Sequence, residues 1–167
     1  MNSFRLLSAV LLCSITFFSN AQDSTLKPSF KVSGEVTKPL TLSVEDLLKM
    51  KPVNVSMKDK AGKEHNYKGV DIQEILGIAG VTMDKQLRGK NLSKYLLVKC
   101  ADGYEVLFSL AELDSSFTDR VVTLAYESDG KPLPAGTGPF RLVVPGEKKA
   151  ARSGFQVVSM VIKFAKE

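Results

Sequence analysis

The residue best suited to bind an anion is Arg141, the one charged residue in the apolar segment from Phe140 to Val144. A stretch rich in proline and glycine precedes it and excludes a helix. Its members are Pro132, Pro134, Gly136, Gly138 and Pro139. A rigid loop that delivers an arginine into a strand is one way to present a cation to a buried anionic ligand. Strand alternation also predicts an Arg141 that points outward, so both interpretations remain open here.

A second candidate for anion binding is the basic cluster of Lys148, Lys149 and Arg152, in the loop that follows the Arg141 strand. Lysine and arginine side chains at such a position suit a phosphate or another anion. Glu147 lies beside the cluster and offsets part of its charge. A solvated basic loop is the alternative for each of the three residues.

Three further residues carry groups that could contact a ligand or react. Tyr104 follows the Asp-Gly turn at Asp102 and could stack on a flat heterocycle, or it could pack in the core. His65 is the only histidine and could contact a ligand from a polar loop, or it could be solvated there. Cys100 is either a reactive thiol or a small buried apolar side chain.

The composition excludes several classes of function. The 167 residues include one histidine and two cysteines, of which Cys13 lies in the N-terminal apolar run. These few residues exclude a zinc cluster. If the N-terminal apolar run is removed on export, Cys100 has no cysteine to pair with, so an intramolecular disulfide is excluded as well. A Ser-His-Asp triad would have to use His65. The formal net charge is +5, with lysines and arginines scattered along the chain, so we do not expect nucleic-acid binding.

The N-terminal residues 1–21 have the pattern of a secretory signal. Arg5 precedes an apolar run that is short for a membrane span, and small residues lead to a cleavage site after Ala21. We therefore expect an exported protein, most simply a periplasmic one. Residues 22–29 read as a flexible lead-in, and residues 30–167 as one domain.

Alternation of apolar and polar residues predicts a mostly β domain of the α+β class. We expect strands near residues 30–36, 53–57, 94–100, 104–107, 121–126, 140–144 and 155–164. The segment from Val121 to Tyr126 is apolar almost throughout, which is typical of a strand buried on both faces. Short helices should begin at three capping boxes, formed by Ser43 with Asp46, Asp71 with Glu74, and Ser109 with Glu112.

Several of these segments resemble one known family. The sequences LAYESDGKPLP and GPFRLVVPG, together with the ADGY turn and the segment that begins at Gly34, resemble the oxidoreductase molybdopterin-binding domain. The resemblance covers about residues 30 to 165 and implies the sulfite-oxidase-like fold. It also implies that the segment containing Gly138, Pro139 and Arg141 closes a pterin pocket, with the arginine on the cofactor. The basic loop after it would hold the cofactor's phosphate end.

The chain departs from the family pattern at one important position. In enzymes of the family a cysteine thiolate ligates molybdenum, and its place here falls near Ser56 or Met57. Neither a hydroxyl nor a thioether supplies the charge and soft-donor bonding of a thiolate. The resemblance therefore implies an exported protein that binds a pterin or molybdopterin-like ligand without molybdenum catalysis. It would act as a ligand-binding or sensory module, with a membrane-anchored partner.

Two other functions remain open from the sequence. The first is a molybdopterin-dependent oxidoreductase that performs oxygen-atom transfer, or a subunit of such an enzyme, with an unconventional metal ligand. The second is an interaction protein whose pocket no longer binds a ligand. The fold alone does not distinguish these alternatives.

Overall fold

The computed structural model describes residues 27–165, so the predicted signal and most of the predicted lead-in lie outside the described residues. Strands predominate in this range, and the predicted α+β, mostly β architecture is confirmed. The ten strands are β1 Ser29–Gly34, β2 Leu40–Ser43, β3 Val53–Lys58, β4 Glu64–Asp71, β5 Lys94–Cys100, β6 Glu105–Ser109, β7 Thr123–Ser128, β8 Lys131–Pro132, β9 Arg141–Val143 and β10 Val157–Phe164.

The strands form two sheets that enclose the main core. Sheet 1 has the order β2-β1-β10-β5-β6, and sheet 2 has the order β3-β4-β7-β8 with β9 paired to the other part of β7. Apolar residues from both sheets meet in one large cluster between them. Phe30 of sheet 1 and Phe140, just before β9, pack edge to face with ring centroids 4.9 Å apart. The Arg141 strand is thus fixed to the core at its first residue.

Strand β7 confirms the prediction of a strand buried on both faces. Leu124 and Tyr126 lie in the main core, whereas Ala125 between them is fully buried in a second, smaller cluster on the opposite face of sheet 2. β7 pairs with β4 on one side and with β8 and β9 on the other. A strand in this central position has no solvated face, so its sequence does not alternate.

Short helical segments occupy the ends of the sheets. Helix α1 is Val44–Leu47 and helix α2 is Ile72–Ile78, and 3-10 turns cover Asp84–Gln86, Gly89–Ser93, Leu110–Leu113 and Ala150–Arg152. The capping boxes predicted at Ser43 and Ser109 are both formed. No helix within residues 27–165 has the length and apolar character that a membrane crossing requires.

The third predicted capping box is wrong in its second half. Asp71 does cap α2, with its side chain accepting from the Gln73 backbone N–H at 2.9 Å. Glu74 does not return to the cap, because its carboxylate accepts instead from the Lys51 backbone N–H at 3.2 Å. A tertiary hydrogen bond to the segment before β3 has replaced the local one.

The polar loop in which the sequence placed His65 is also shorter than expected. Strand β4 begins at Glu64 because the β3–β4 pairing continues to the pairs Met57–His65 and Lys58–Glu64. Asp59 allows the tight turn, since its carboxylate accepts from the backbone N–H groups of Ala61 and Lys63. His65 therefore lies on a strand and not in a loop.

Strand β10 departs from simple alternation at its start. Simple alternation along the strand predicted near residues 155–164 would place Val157 on the same face as Ser159 and Val161. A register shift between Val157 and Ser159 in the pairing with β5 instead places Val157 in the core with Met160. A β-bulge adds one residue to a strand and reverses the facing of the residues before it. Val158 is consequently 42 % exposed.

Candidate functional site

The candidate site lies on the face of sheet 2 that is turned away from the main core, which we call the Arg141 face. Its centre is a small cluster of buried side chains: Met57, Tyr67, Ala125 and Val143, with Val55 and Leu133 packed against them. The residues before and after Arg141 point the other way, with Phe140 and Leu142 in the main core. Alternation thus turns Arg141 away from the core, but onto a second, partly covered surface.

The guanidinium group of Arg141 contacts two aromatic rings. Its Cζ atom is 4.7 Å from the ring centroid of Tyr67 and 4.6 Å from that of Phe155. Nη1 donates to the Tyr67 hydroxyl at 2.5 Å. Two cation–π contacts and one hydrogen bond therefore hold the guanidinium in place.

The hydrogen-bonding capacity of Arg141 is only partly used. Nε is buried and has no hydrogen-bond partner, and no carboxylate among residues 27–165 forms an ion pair with the side chain. Partial burial lowers the pKa of Arg141 from its ordinary value, against the effect of the Tyr67 hydroxyl. A half-buried cation without a counter-ion is costly unless an anion completes it. The free Nε is therefore suited to an oxyanion.

Met57 and Ser56 are the two positions near which the resemblance places the metal-ligating thiolate. The Met57 Sδ atom is buried and accepts a hydrogen bond from the Ser153 hydroxyl at 3.1 Å. Ser153 Oγ in turn accepts from the Val144 backbone N–H at 3.1 Å, which ties the loop after β9 down onto this face. Ser56 points to the opposite, exposed side and bonds to the Asn66 amide.

The donor set on this face suits an organic anion better than molybdenum. Within residues 27–165 no group of three His, Cys, Asp or Glu side chains converges as a metal site. The thioether of Met57 is neutral and already carries the Ser153 hydrogen bond. Arg141 offers a positive charge and an unpartnered donor, which fit an oxyanion and do not ligate a metal.

Gly138 and Pro139 position the start of the Arg141 strand. The bond between them is a cis peptide bond. A Cβ atom added at Gly138 would lie 2.7 Å from Cβ of Leu133, which packs against the small cluster of the Arg141 face. The absence of a side chain at Gly138 lets the loop close over Leu133. These two residues thus act on the site through the backbone, and their direct contact with a ligand stays a prediction.

The three basic residues of the loop after β9 have different environments. Arg152 is bound by two carboxylates: Nε and Nη2 donate to Glu147, and Nη1 donates to Glu112 at 2.9 Å. Burial by itself would lower the pKa of Arg152, but the two carboxylates outweigh burial and raise this pKa above its ordinary value. Lys148 and Lys149 are exposed, and neither pairs with a carboxylate of the described chain. The lysines therefore suit a predicted phosphate contact better than Arg152, whose charge is neutralised.

Tyr104 supports the same loop from the side of sheet 1. Its hydroxyl donates to the Ala151 carbonyl at 2.7 Å, and its ring is 46 % exposed. A Cβ atom added at Gly154 would lie 3.9 Å from this ring. Tyr104 thus positions the segment that carries Ser153 and Phe155, and stacking of its exposed ring on a ligand remains a prediction.

His65 lies at the outer end of the Arg141 face, between two carboxylates. Its Nδ1 atom is 2.6 Å from Asp129 and its Nε2 atom is 3.4 Å from Asp59. The hydrogen bond with Asp129, followed by that with Asp59, raises the pKa of His65 against partial desolvation. The ring centroid is 6.3 Å from that of Tyr67. His65 thereby links the turns of two hairpins beside the residue that bonds to Arg141.

We expect the stability of the domain to depend on the charge of His65. Because the pKa of His65 is raised in the folded state, its protonated form stabilises the fold. This contribution to the free energy of unfolding is complete below the unfolded pKa of about 6.5, and it is lost as the pH rises through the pKa of the folded state. The single imidazole can be followed by NMR titration. Asp129→Asn should move the titration towards about 6.5, and Asp59→Asn should move it less because its contact is longer. An unchanged midpoint in Asp129→Asn would contradict the assignment.

Cys100 ends β5 on the core face of sheet 1 and is 4 % exposed. Burial, and then the charge of Asp102, raise the pKa of its thiol, so the neutral form is favoured. From the sequence, Cys100 is either a reactive thiol or a small buried apolar side chain. This environment favours the buried apolar side chain. Cys100 belongs to the main core and not to the cluster of the Arg141 face.

Cys100→Ser should therefore be tolerated. We expect a loss of about 1–2 kcal/mol in the free energy of unfolding, because a hydroxyl is buried in an apolar environment. The amount of bound small molecule should not change. Mass spectrometry of the released ligand and elemental analysis of the same sample check this, and loss of ligand or metal would instead indicate a role for the thiol.

An open groove of about 440 Å³ borders the Arg141 face at Val55. It passes along the edge strand β3 and below the start of the loop that follows β9, and Arg141 is not among its lining residues. It is lined by Val55, Ser56, Asp119, Arg120, Val121, Pro145 and Gly146. Val55 also packs against the small cluster, so the groove adjoins the edge of the Arg141 face.

Two important site residues are absent from the sequence-based set. In the sequence, Tyr67 is recognisable only as an aromatic residue before a helix. Like Tyr104, it could stack on a flat ligand, and nothing in the pattern singles it out. Phe155 follows Gly154 in an irregular segment, and no pattern distinguishes it. Tyr67 precedes Arg141 by 74 positions, and only the pairing of β4, β7 and β9 brings them together.

The fold and the site define a small two-sheet domain with a cationic surface lined by aromatic residues. The family model of the oxidoreductase molybdopterin binding domain matches residues 53–153, and the chain belongs to this family. The match begins at β3 and includes Tyr67, Arg141 and Ser153. The resemblance inferred from the sequence is thereby confirmed.

A solved structure shows the same fold. The sulfane dehydrogenase SoxCD from Paracoccus pantotrophus superimposes with a TM-score of 0.64 at 22% sequence identity over 83% of this chain. The chain spans only 39% of the length of that SoxCD chain. No curated protein sequence matches this chain significantly. The sulfite-oxidase-like fold is thus confirmed, whereas the reaction of SoxCD is a property of that enzyme.

Proposed function

We propose that this protein is an exported module that binds a pterin or molybdopterin-like ligand on the Arg141 face and does not catalyse molybdenum-dependent oxygen-atom transfer. One observation carries the proposal: the Arg141 guanidinium contacts the rings of Tyr67 and Phe155 and has a buried Nε that lacks a partner. Family membership supports the class of ligand.

The electrostatics of this face favour binding over metal catalysis. Met57 offers a thioether where a thiolate would be needed to ligate molybdenum, and Cys100 belongs to the other sheet. Lys148 and Lys149 provide two mobile positive charges for a phosphate at the end of such a ligand. Because Ser153 ties the loop after β9 to this face, occupancy of the site would act on that loop and so report binding to a membrane-anchored partner.

The test is analysis of the small molecules released when protein purified from the periplasm is denatured. Mass spectrometry identifies and counts the pterin, and elemental analysis of the same sample counts molybdenum. We expect a pterin in equimolar amount and no molybdenum. Equimolar molybdenum would overturn the non-catalytic assignment in favour of an oxidoreductase or its subunit. Release of no pterin would overturn the binding assignment in favour of a protein–protein role.

A further inference from the structure

The outer face of sheet 1, turned away from the main core, has an ordered arrangement of side chains that ligand binding does not use. Three rows run across β10, β5 and β6 in register. The middle row consists of Val161, Leu97 and Leu107. The row on one side of it begins on β1 and consists of Lys31, Ser159, Lys99 and Glu105. The row on the other side consists of Lys163, Tyr95 and Ser109. Aliphatic side chains therefore lie between two rows that carry lysines.

The middle row is accessible to solvent. Leu107 is 51 % exposed, and Val161 and Leu97 are half-buried. The β10 bulge adds Val158 to the exposed aliphatic side chains near this face. Lys31 and Lys163, which lie in the two rows that flank the middle row, are exposed as well. An aliphatic strip of this kind on a soluble surface indicates an interaction site.

The charge of this face is positive. Lys99 pairs with Glu105 at 2.6 Å, which neutralises both side chains. Lys31 and Lys163 form no ion pair with any carboxylate of residues 27–165. They lie on either side of the aliphatic row and keep a net positive charge there. The complementary surface must therefore be anionic and must accept aliphatic side chains.

We propose that the outer face of sheet 1 docks on an anionic phospholipid surface. Lysines attract anionic headgroups without fixed geometry, and their long stems allow the ammonium groups to reach the headgroups while aliphatic neighbours enter the interface. Tyr95 adds an amphipathic ring beside Leu97. A protein interface would favour arginine over lysine at such positions, and these rows contain no arginine.

Binding to vesicles tests the proposal with the protein purified from the periplasm. Sedimentation at low salt is compared between vesicles of phosphatidylcholine alone and vesicles in which about one-third of the lipid is phosphatidylglycerol. We expect binding to the anionic vesicles only, weakened by salt. The double variant Lys31→Gln/Lys163→Gln should bind roughly 25-fold more weakly, about fivefold for each lysine removed. Leu107→Ser should weaken binding several-fold further.

The matched control is Lys60→Gln/Lys85→Gln, which removes the same charge from exposed loops elsewhere. It should retain binding within about twofold, because its lysines lie away from the proposed lipid contact. Equal losses in the two double variants would show that only net charge matters and would overturn the proposal. Absence of wild-type binding to anionic vesicles would also overturn it. If the protein binds no vesicles but is retained on immobilised polyaspartate through Lys31 and Lys163, the face binds an acidic protein and the lipid proposal is overturned.

Discussion

Arg141→Ala is expected to lower the pterin retained by the purified protein by roughly two orders of magnitude. The substitution removes the charge, the unpartnered Nε donor and the group that contacts the rings of Tyr67 and Phe155. Charge-assisted hydrogen bonds contribute about 1.5–3 kcal/mol each, and a side-on oxyanion would use two. The ligand released from wild type and variant, counted by mass spectrometry, gives the measurement.

The fold should survive the loss of Arg141. The side chain is turned away from the main core, and its burial without a counter-ion contributes little net stability. Arg141→Lys retains the charge but not the planar edge, so it should restore only part of the retention. Arg88→Ala, at an exposed position, is the control for removal of an arginine. Wild-type ligand content in Arg141→Ala would refute the role of this residue.

Gly69→Ala should cause the largest loss of stability among the glycine substitutions near the site. A Cβ atom at Gly69 would lie 2.2 Å from the Leu124 carbonyl oxygen and 2.6 Å from Cα of Ala125. Both atoms belong to the backbone of the central strand β7, so no side-chain rotation relieves the overlap. Overpacking of this kind costs about 3 kcal/mol. Urea denaturation should show a corresponding fall in the midpoint.

The same substitution should also disturb the site. Gly69 pairs with Ala125, and Ala125 pairs with Arg141, so a wider β4–β7 spacing separates Tyr67 from the guanidinium. Ligand retention should fall even at temperatures where the variant is folded. Gly77→Ala is the matched control, because an added Cβ there meets no atom within 4 Å. In helix α2 it should stabilise by about 0.5–1 kcal/mol. Equal urea midpoints for Gly69→Ala and wild type would contradict the steric argument.

The sequence predicted those elements whose signals are local. Apolar runs and alternation located β5 at Lys94–Cys100 and the central position of β7, and side chain-to-backbone bonding located the caps at Ser43, Asp71 and Ser109. The errors arose where tertiary contacts compete with local ones. Glu74 bonds to Lys51, His65 pairs with Met57, and the β10 bulge follows from the pairing with β5.

For the candidate site, the sequence by itself determined that Arg141 is the one charge in its strand and that no cysteine lies in β3. It also determined the family resemblance, because the segments around Arg141 retain a recognisable order of glycine, proline and apolar residues. Those are properties of short segments, and they require no knowledge of packing.

Only the tertiary structure decided what surrounds Arg141. Alternation correctly turns the side chain away from the main core, but it cannot show that a second cluster covers the opposite face. Tyr67 reaches the guanidinium through three paired strands, and Phe155 reaches it through the loop that Ser153 ties to Met57. Contacts between residues distant in sequence depend on strand order and register, which local patterns do not encode.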